Sequence, residues 1–281
     1  DELLFFTNTG RVFKLAVYEI PQASRTAKGQ PIVNALQLKD NEFVTAMMAT
    51  GEQLKGDYLI MATKKGTIKK TNVEEFKNIR KNGLIAIKLR DNDSLEWVRE
   101  MWKGDQVMIV SRNGQGIRFK EDDIHEIGRA AMGVRGMRIK EKDTVVQMDV
   151  VKNPDDAELL VVMENGLGKC TKITNYRLQG RGGGGVKTAN ITKKTGSVIG
   201  AHVIDGEKGE DVLLISREGN LIRLHAGQIP SQGRATQGVY LMRLNENDKV
   251  ASMSVLEHQD NEENDAATET AAEEQETIEA V

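Results

Sequence analysis

Basic side chains return at fixed offsets from a recurring glycine. Four positions after Gly10, Gly66, Gly114 and Gly219 stand Lys14, Lys70, Arg118 and Arg223; the same place after Gly166 holds Cys170. A second set precedes a second glycine: Arg25, Arg129, Arg181 and Arg234 lie four residues before Gly29, Gly133, Gly185 and Gly238, and Arg80 lies three before Gly83. Arg11, Lys28, Lys69, Lys81, Arg135, Lys169, Arg177 and Lys187 accompany these sets on the same or adjoining segments, as do Lys88, Arg138 and Arg243. Cations repeated along a chain suit a partner that repeats its own negative charge, and a nucleic-acid backbone does so. Lys and Arg also decorate any solvated strand face, which accounts for a single position; registered copies across five units argue for the nucleic-acid reading. No recognition helix or set of base-reading aromatics accompanies them, so the expected contacts are to phosphate and largely independent of base sequence.

Other chemistry finds little support. His125, His202, His225 and His258 show no ligand spacing with one another or with the lone Cys170, which leaves surface or packing roles. Glu74-Glu75 and Asp122-Asp123 are adjacent carboxylates whose side chains diverge, so they read as solvated loop charges. Gln179-Gly180-Arg181-Gly182-Gly183-Gly184-Gly185 is rich in glycine, but no Gly-Lys-Ser/Thr follows and no βαβ unit surrounds it, so it is not a nucleotide loop. Its glycines could bring backbone N–H groups to a phosphate beside Arg181, or simply form a flexible turn. Trp97 and Trp102 sit in or beside a strand-like stretch and read as packing residues.

The elements that must position these bases are short strands. The first glycines are spaced by 56, 48, 52 and 53 residues, and each second glycine follows its first by 19, 17, 19, 19 and 19. The chain is therefore a repeat protein. In the last unit Val212–Ile215 is an apolar run, Glu218-Gly219-Asn220 a turn and 221–224 a returning strand; 239–244 and 250–255 supply two more. Asn113-Gly114 and Asn165-Gly166 predict hairpin turns with both residues at positive φ. A loop follows with an apolar anchor: Ile20, Phe76, Ile124, Tyr176 or Ile229. Single helical turns are expected at 73–76 and 122–125. Strand alternation predicts that the base four after each glycine faces solvent. Four strands per unit give an all-β, propeller-like ring of five blades, at about residues 3–50, 57–101, 106–152, 158–205 and 211–256. Such a ring limits exposed sheet edges, and aliphatic and Met side chains fill it despite only 4% aromatic residues.

The 281 residues carry a net charge of −3, unevenly placed. Residues 257–281 hold ten acids and no base, which leaves residues 1–256 at +7. A basic body again suggests a polyanionic partner. The acidic tail is expected to be disordered or weakly helical, and either competes for the basic rim or only aids solubility. There is no run of eighteen apolar residues to span a membrane. One cysteine excludes a disulfide framework and suits a reducing cytosol. The start Asp1-Glu2-Leu3-Leu4 has neither an initiator Met nor a basic leader, and reads as a piece of a longer chain.

Several segments resemble the C-terminal domain of the DNA gyrase A protein: residues 6–21, centred on Gly10-Arg11-Val12-Phe13-Lys14, with 25–34; residues 62–71; Gly133-Val134-Arg135-Gly136-Met137-Arg138; and residues 233–239. The similarity runs from about residue 3 to 256. It implies the family's β-pinwheel, a propeller variant with a different strand exchange between blades. It also implies DNA binding and wrapping that bias strand passage towards negative supercoiling. The family's glycine box reads Gln, basic, Arg, Gly, Gly, basic, Gly; here Gly180 and Gly184 replace its two flanking bases, and the box stands in the fourth unit rather than in the first blade. The resemblance thus makes residues 179–185 a degenerate copy and implies a sixth blade upstream, five of an expected six being present.

The resemblance further implies a fragment of an ATP-hydrolysing type II topoisomerase of the bacterial cytoplasm, associated with the nucleoid. ATP and Mg act elsewhere in that enzyme, so no cofactor is expected in this segment. The gyrase B protein is a partner through the rest of the gyrase A protein, in an A2B2 assembly. The nucleophilic tyrosine of such enzymes lies outside this region, so Tyr18, Tyr58, Tyr176 and Tyr240 receive no catalytic role. Two other readings stay open: the C-terminal domain of the corresponding topoisomerase IV protein, and a propeller serving as a protein-interaction platform. An incomplete circle is expected to expose edges near residues 3–6 and 250–255.

Overall fold

Turn glycines flanked by short apolar runs build five consecutive β units. The computed structural model describes residues 1–24, 26–51, 54–205 and 209–257. Arg25 and residues 258–281, where most of the acidic tail and its expected disorder fall, lie outside the described residues. The first unit contributes β1 (Glu2–Thr7), β2 (Arg11–Ala16) and β3 (Val44–Thr50). The second has β4 (Tyr58–Thr63), β5 (Thr67–Asn72), β6 (Leu84–Ile85) and β7 (Leu95–Met101). The third has β8 (Gln106–Ser111), β9 (Gln115–Lys120), β10 (Val134–Arg135) and β11 (Val145–Val151). The fourth has β12 (Ala157–Met163), β13 (Leu167–Lys169), β14 (Val186–Lys187) and β15 (Val198–Asp205). The last has β16 (Glu210–Ser216), β17 (Leu221–His225), β18 (Val239–Tyr240) and β19 (Val250–Glu257). Single 3-10 turns stand at Val73–Phe76 and Glu121–Asp123, close to the two expected positions.

Sequence units and sheets do not coincide. The sheets run β3-β1-β2-β6, β10-β5-β4-β7, β11-β8-β9-β14 and β15-β12-β13-β18, so each takes its fourth strand from the following unit. The fifth, β17-β16-β19, has three strands among the described residues. The inner strands pack in succession, β3 on β7, β7 on β11, β11 on β15 and β15 on β19, while the donated two-residue strands form the opposite, outer edge. Contact of that extent does not return from β19 to β3 among the described residues. The edge left without a fourth strand is therefore β17. The expectation for residues 3–6 is corrected, since β1 is paired on both sides, and β19 is an edge only in the way every inner strand is.

The hairpin turn differs from the Asn-Gly expectation. Asn113 and Asn165 keep negative φ; only Gly114 (73°) and Gly166 (82°) turn left-handed, each donating its N–H to a carbonyl three residues back. This is a type I-like turn closed by a left-handed glycine. The glycine's second task is to admit the exchanged chain: the Gly166 carbonyl accepts from Leu241 and Met242 N–H, and a Cβ on Gly166 would collide with the Met242 oxygen. A carboxylate braces the same turn from the far end of the unit in four of the five. Glu42, Asp93, Asp143 and Asp248 accept hydrogen bonds from hairpin residues of units 1, 2, 3 and 5. In the fourth unit the Thr195 carbonyl accepts from Asn165 N–H. Each sheet also carries a register shift where its central strand meets the start of the inner one, as at Ala62/Thr63 and Val162/Met163.

The core lies between blades. Phe76, Ile124, Tyr176 and Ile229 are buried where each unit's loop packs on the preceding blade. Ile20, the matching anchor of the first unit, is exposed, and no preceding blade covers it among the described residues. Met101, Met137 and Met148 help fill one interface alongside Tyr58 and Phe119.

Candidate nucleic-acid interface

The strands that carry the bases have neighbours on both faces, which separates the two basic sets. Every residue of β4 is buried, as are the four central residues of β5, so alternation leaves no solvent face. In the set four residues after the first glycine, Lys70 and Arg118 are therefore internal, a correction to the expected rim, while Lys14 is half-buried and Arg223 exposed. Lys70 is buried in an ion pair with Glu121 and lies 4.6 Å from the Tyr58 ring centroid. Arg118 is buried where the counterpart of Glu121 is Ile173; its Nε and Nη1 find no hydrogen-bond partner among the described residues, and burial lowers its pKa. Lys14 pairs with Glu2 at 3.0 Å, and Arg223 donates to Asp211 at 2.5 Å. Arg11 pairs with Glu42 at 2.6 Å and stacks 4.5 Å from the Phe13 ring. Lys69 and Lys169 are wholly buried, and burial pulls each pKa down to about 8.

The described members of the set before the second glycine lie on the outer edge. In the second to fifth units the loop crosses the preceding blade and then adds the two-residue outer strand. Arg129 is held to that blade by Glu75: its backbone N–H donates to the carboxylate at 3.0 Å and its Nε lies 3.4 Å from the same oxygen. Arg181 donates from Nε to the Asp123 carbonyl at 2.8 Å and from Nη1 to the Arg135 carbonyl at 3.3 Å. Arg234 donates to the Lys187 carbonyl at 3.2 Å, with its guanidinium 5.9 Å from the Tyr176 ring. All three keep partial exposure, while Lys28, Arg80, Lys81, Arg135, Arg177 and Lys187 are exposed. On the outer strands the second residue faces out, giving Ile85, Arg135, Lys187 and Tyr240 in register.

Residues 179–185 contain two kinds of glycine. Gly182 and Gly185 take φ of 83° and 74°, and a Cβ on Gly185 would stand 2.5 Å from the Gly116 oxygen, so packing demands glycine there. Gly180 and Gly184 have open space around them and leave the backbone uncovered. Gln179 N–H donates to the Arg118 carbonyl, which ties the segment to the third blade.

Sequence reasoning missed one basic recess. Lys65, Arg90, Arg135 and Arg138 ring a cleft of about 610 Å³ beside the Gly66 turn, with Asp91 and Asp93 on its wall. Asp93 is spent on the turn, accepting from Thr63 Oγ1 and Lys65 N–H, so the four bases dominate the opening. They come from three separate segments, and only their offset from the turn glycine could have signalled the meeting. Trp97 packs against the core between the second and third blades, and Trp102 sits under Lys152, 4.0 Å from its Nζ. His202 pairs with Asp149 at 2.7 Å. Burial raises the Cys170 thiol and the Tyr176 hydroxyl to about 12, which makes both poor nucleophiles at neutral pH.

The family described as "DNA gyrase C-terminal domain, beta-propeller" matches residues 1–50, 57–99, 105–152, 157–205 and 210–257. The DNA gyrase A protein of Staphylococcus epidermidis (strain ATCC 12228 / FDA PCI 1200) is 42% identical over 261 residues, covering 92% of this chain and 29% of that protein. That of Staphylococcus aureus (strain MRSA252) is 40% identical over 274 residues, covering 97% and 31%. The chain thus spans about three-tenths of the length of these relatives. Among solved structures, the C-terminal domain of DNA topoisomerase IV superposes with a TM-score of 0.82 at 25% identity, over 97% of this chain and 84% of that one. The DNA gyrase A C-terminal domain superposes at 0.76 and 30%, over 91% and 82%. With five matched segments that follow the five repeats, this chain belongs to the DNA gyrase C-terminal domain family of β-propellers.

Proposed function

We propose that the chain binds duplex DNA through phosphate contacts along its outer edge and bends the duplex around itself. The observation that carries this reading is the recurrence of an exposed or half-exposed arginine ahead of the second glycine on the outer edge of successive blades, Arg80, Arg129, Arg181 and Arg234, with Lys81, Arg135 and Lys187 exposed nearby. Lys28, Arg177 and the cleft bases Lys65, Arg90 and Arg138 extend the track, and Arg25 falls at the matching place in the first unit. Bending a 20–30 bp stretch by 40–90° costs about 1–6 kcal/mol, which several phosphate contacts together can offset. A path of fixed hand around the blades would let the parent enzyme change linking number in one direction, towards negative supercoiling. The parent enzyme, its ATP-driven strand passage, its gyrase B partner, the A2B2 assembly and its bacterial cytoplasmic, nucleoid-associated setting belong to the same reading. The roughly 40% identity to gyrase A proteins favours gyrase; the topoisomerase IV assignment draws on the 0.82 superposition.

With about seven phosphate contacts, log K should fall against log salt with a slope of roughly −5 to −7. Changing Arg129, Arg181 and Arg234 together to Glu should flatten that slope and abolish the linking-number change when relaxed circular DNA is nicked and resealed in the protein's presence. Retention of the wild-type shift by that triple variant would refute the outer track. A resealing shift without effect on supercoiling direction in a reconstituted enzyme would support the topoisomerase IV reading.

A further inference from the structure

Three residues after the turn glycine, successive units carry Phe13, Lys69, Ile117, Lys169 and Ile222. The site is a hydrophobic one, and in two blades a lysine with no accessible surface fills it. Neither lysine has an ion-pair partner among the described residues. Both spend their protons chiefly on backbone carbonyls instead, and each reaches the arginine loop of the next unit. Lys69 Nζ donates to the Ala86 carbonyl at 2.8 Å and to the carbonyl of Arg129. Lys169 Nζ donates to the carbonyls of Gly233 and Arg234, each at 2.6 Å, and to Thr236 Oγ1 at 3.0 Å. Burying an ammonium ion is costly, and hydrogen bonds to several carbonyls are what keep it tolerable. In the third blade Ile117 occupies the site, and the loop carrying Arg181 is fixed by the arginine's own bonds to Asp123 and Arg135.

We propose that Lys69 and Lys169 are positioning residues: each buried ammonium pins the backbone of the following unit's loop and thereby aims Arg129 or Arg234 at the outer edge. The proposal rests on the DNA-binding reading only for the consequence of that aim; the pinning itself stands apart from it. The charged groups facing Lys69 are Glu75 and Arg129, and the one facing Lys169 is Arg234. Burial lowers both pKa values to about 8, while a lysine freed by an opened loop would keep its proton at that pH. The two loops should therefore open less as pH rises from 7 to 9 while the Arg181 loop stays as it is.

The test has one arm without DNA and one with it. Amide hydrogen exchange, corrected for intrinsic pH dependence, is followed over residues 128–134, 181–185 and 233–238 in the whole chain and in Lys69→Met and Lys169→Met. Met fills the site much as Phe13 and Ile117 do. Lys69→Met should speed exchange about tenfold or more in the first segment only, and Lys169→Met in the third only, since each loses charge-assisted hydrogen bonds. In wild type the same two segments should slow relative to the Arg181 segment as pH rises through 8, because the freed lysine would hold its proton where the buried one does not. Each variant should lose that dependence in its own segment. Exchange that stays unaltered, or loosens across all three segments alike, would overturn the pinning. If a variant fails to fold, the wild-type pH series decides alone: selective slowing of the two lysine-linked segments supports the proposal, and uniform behaviour or selective loosening overturns it. In the DNA arm, a 40 bp duplex is titrated at several salt concentrations. The double variant should bind with a salt slope shallower by about 2, one lost phosphate contact per loop. An unchanged slope with loosened loops would overturn the aiming role. A wild-type chain that does not bind the duplex would instead refute the DNA-binding reading and leave the pinning to the exchange result.

Discussion

Lys70 and Arg129 both stand at recurring offsets, yet one is buried against Glu121 and the other lies on an outer loop. The offset was legible in the sequence, but exposure was not. Alternation distinguishes a wet face from a dry one only where a strand has a wet face, and the middle strands of the second blade are covered on both sides by neighbouring sheets. Nor does any local signal near Lys70 mark Glu121, which lies 51 residues away in the next unit. The buried pair makes a clear prediction. Glu121→Leu leaves an unpaired buried ammonium and should cost about 3–5 kcal/mol, whereas Lys70→Met combined with Glu121→Leu should recover most of that loss. Urea unfolding of the two variants measures it; equal losses would mean that the pair contributes through packing alone. Neither change should alter duplex affinity where the fold persists, because both side chains are remote from solvent.

At the level of strands and turns, the repeat period and the hairpins could be read directly, since a turn glycine between apolar runs is a local signal. The exchange of outer strands could not be derived from the residues themselves. A two-residue strand such as Val186–Lys187 has the same pattern whichever sheet it joins, and its partner Gln115-Gly116 lies in the previous unit. Only the family resemblance implied such an exchange. The bracing carboxylates were also missed, because Asp93 and Asp143 look like ordinary acids of polar turns until they are seen accepting from the hairpin of their own unit. Gly166 makes the exchange testable. Its left-handed φ alone disfavours a side chain by about 1–3 kcal/mol, and a Cβ would also push out the Met242 carbonyl beside the exchanged strand. Gly166→Ala should therefore lower the urea midpoint and expose residues 239–242 to exchange. The same change at Gly219, whose surroundings are open, should show only the backbone part of the loss.

For the molecule as a whole, the inner strands matter most, because they are what five otherwise separate sheets share. The residue three places after the bulged one is Met48, Arg99, Asp149, His202 and Ser254 in successive blades. Asp149 joins three of them, accepting from Arg99 Nε at 3.2 Å and Val203 N–H at 3.0 Å and pairing with His202 Nδ1 at 2.7 Å. Burial pushes the Asp149 carboxyl up, but His202 and Arg99 outweigh it and hold its pKa below the ordinary value. Burial pulls His202 down, but the charge and hydrogen bond of Asp149, with help from Glu210 and against Arg99, leave its pKa raised. The two shifts act at opposite ends of the pH scale. Stability from the lowered carboxyl is present above the unfolded value of about 4 and is lost as pH falls through the folded one; stability from the raised imidazole is full below about 6.5 and is lost as pH rises through the folded value. The contact between the third and fourth blades should therefore be strongest in mildly acidic solution. Urea midpoints measured from pH 5 to 9 should decline above the histidine's range in wild type and remain flatter in His202→Gln. A parallel decline in both proteins would show that the inner strands are joined by their apolar neighbours alone. If the contact does set how consecutive blades tilt, the same variant should alter the linking number captured per bound chain at pH 6 more than at pH 8, since the duplex follows whatever curve the blades describe.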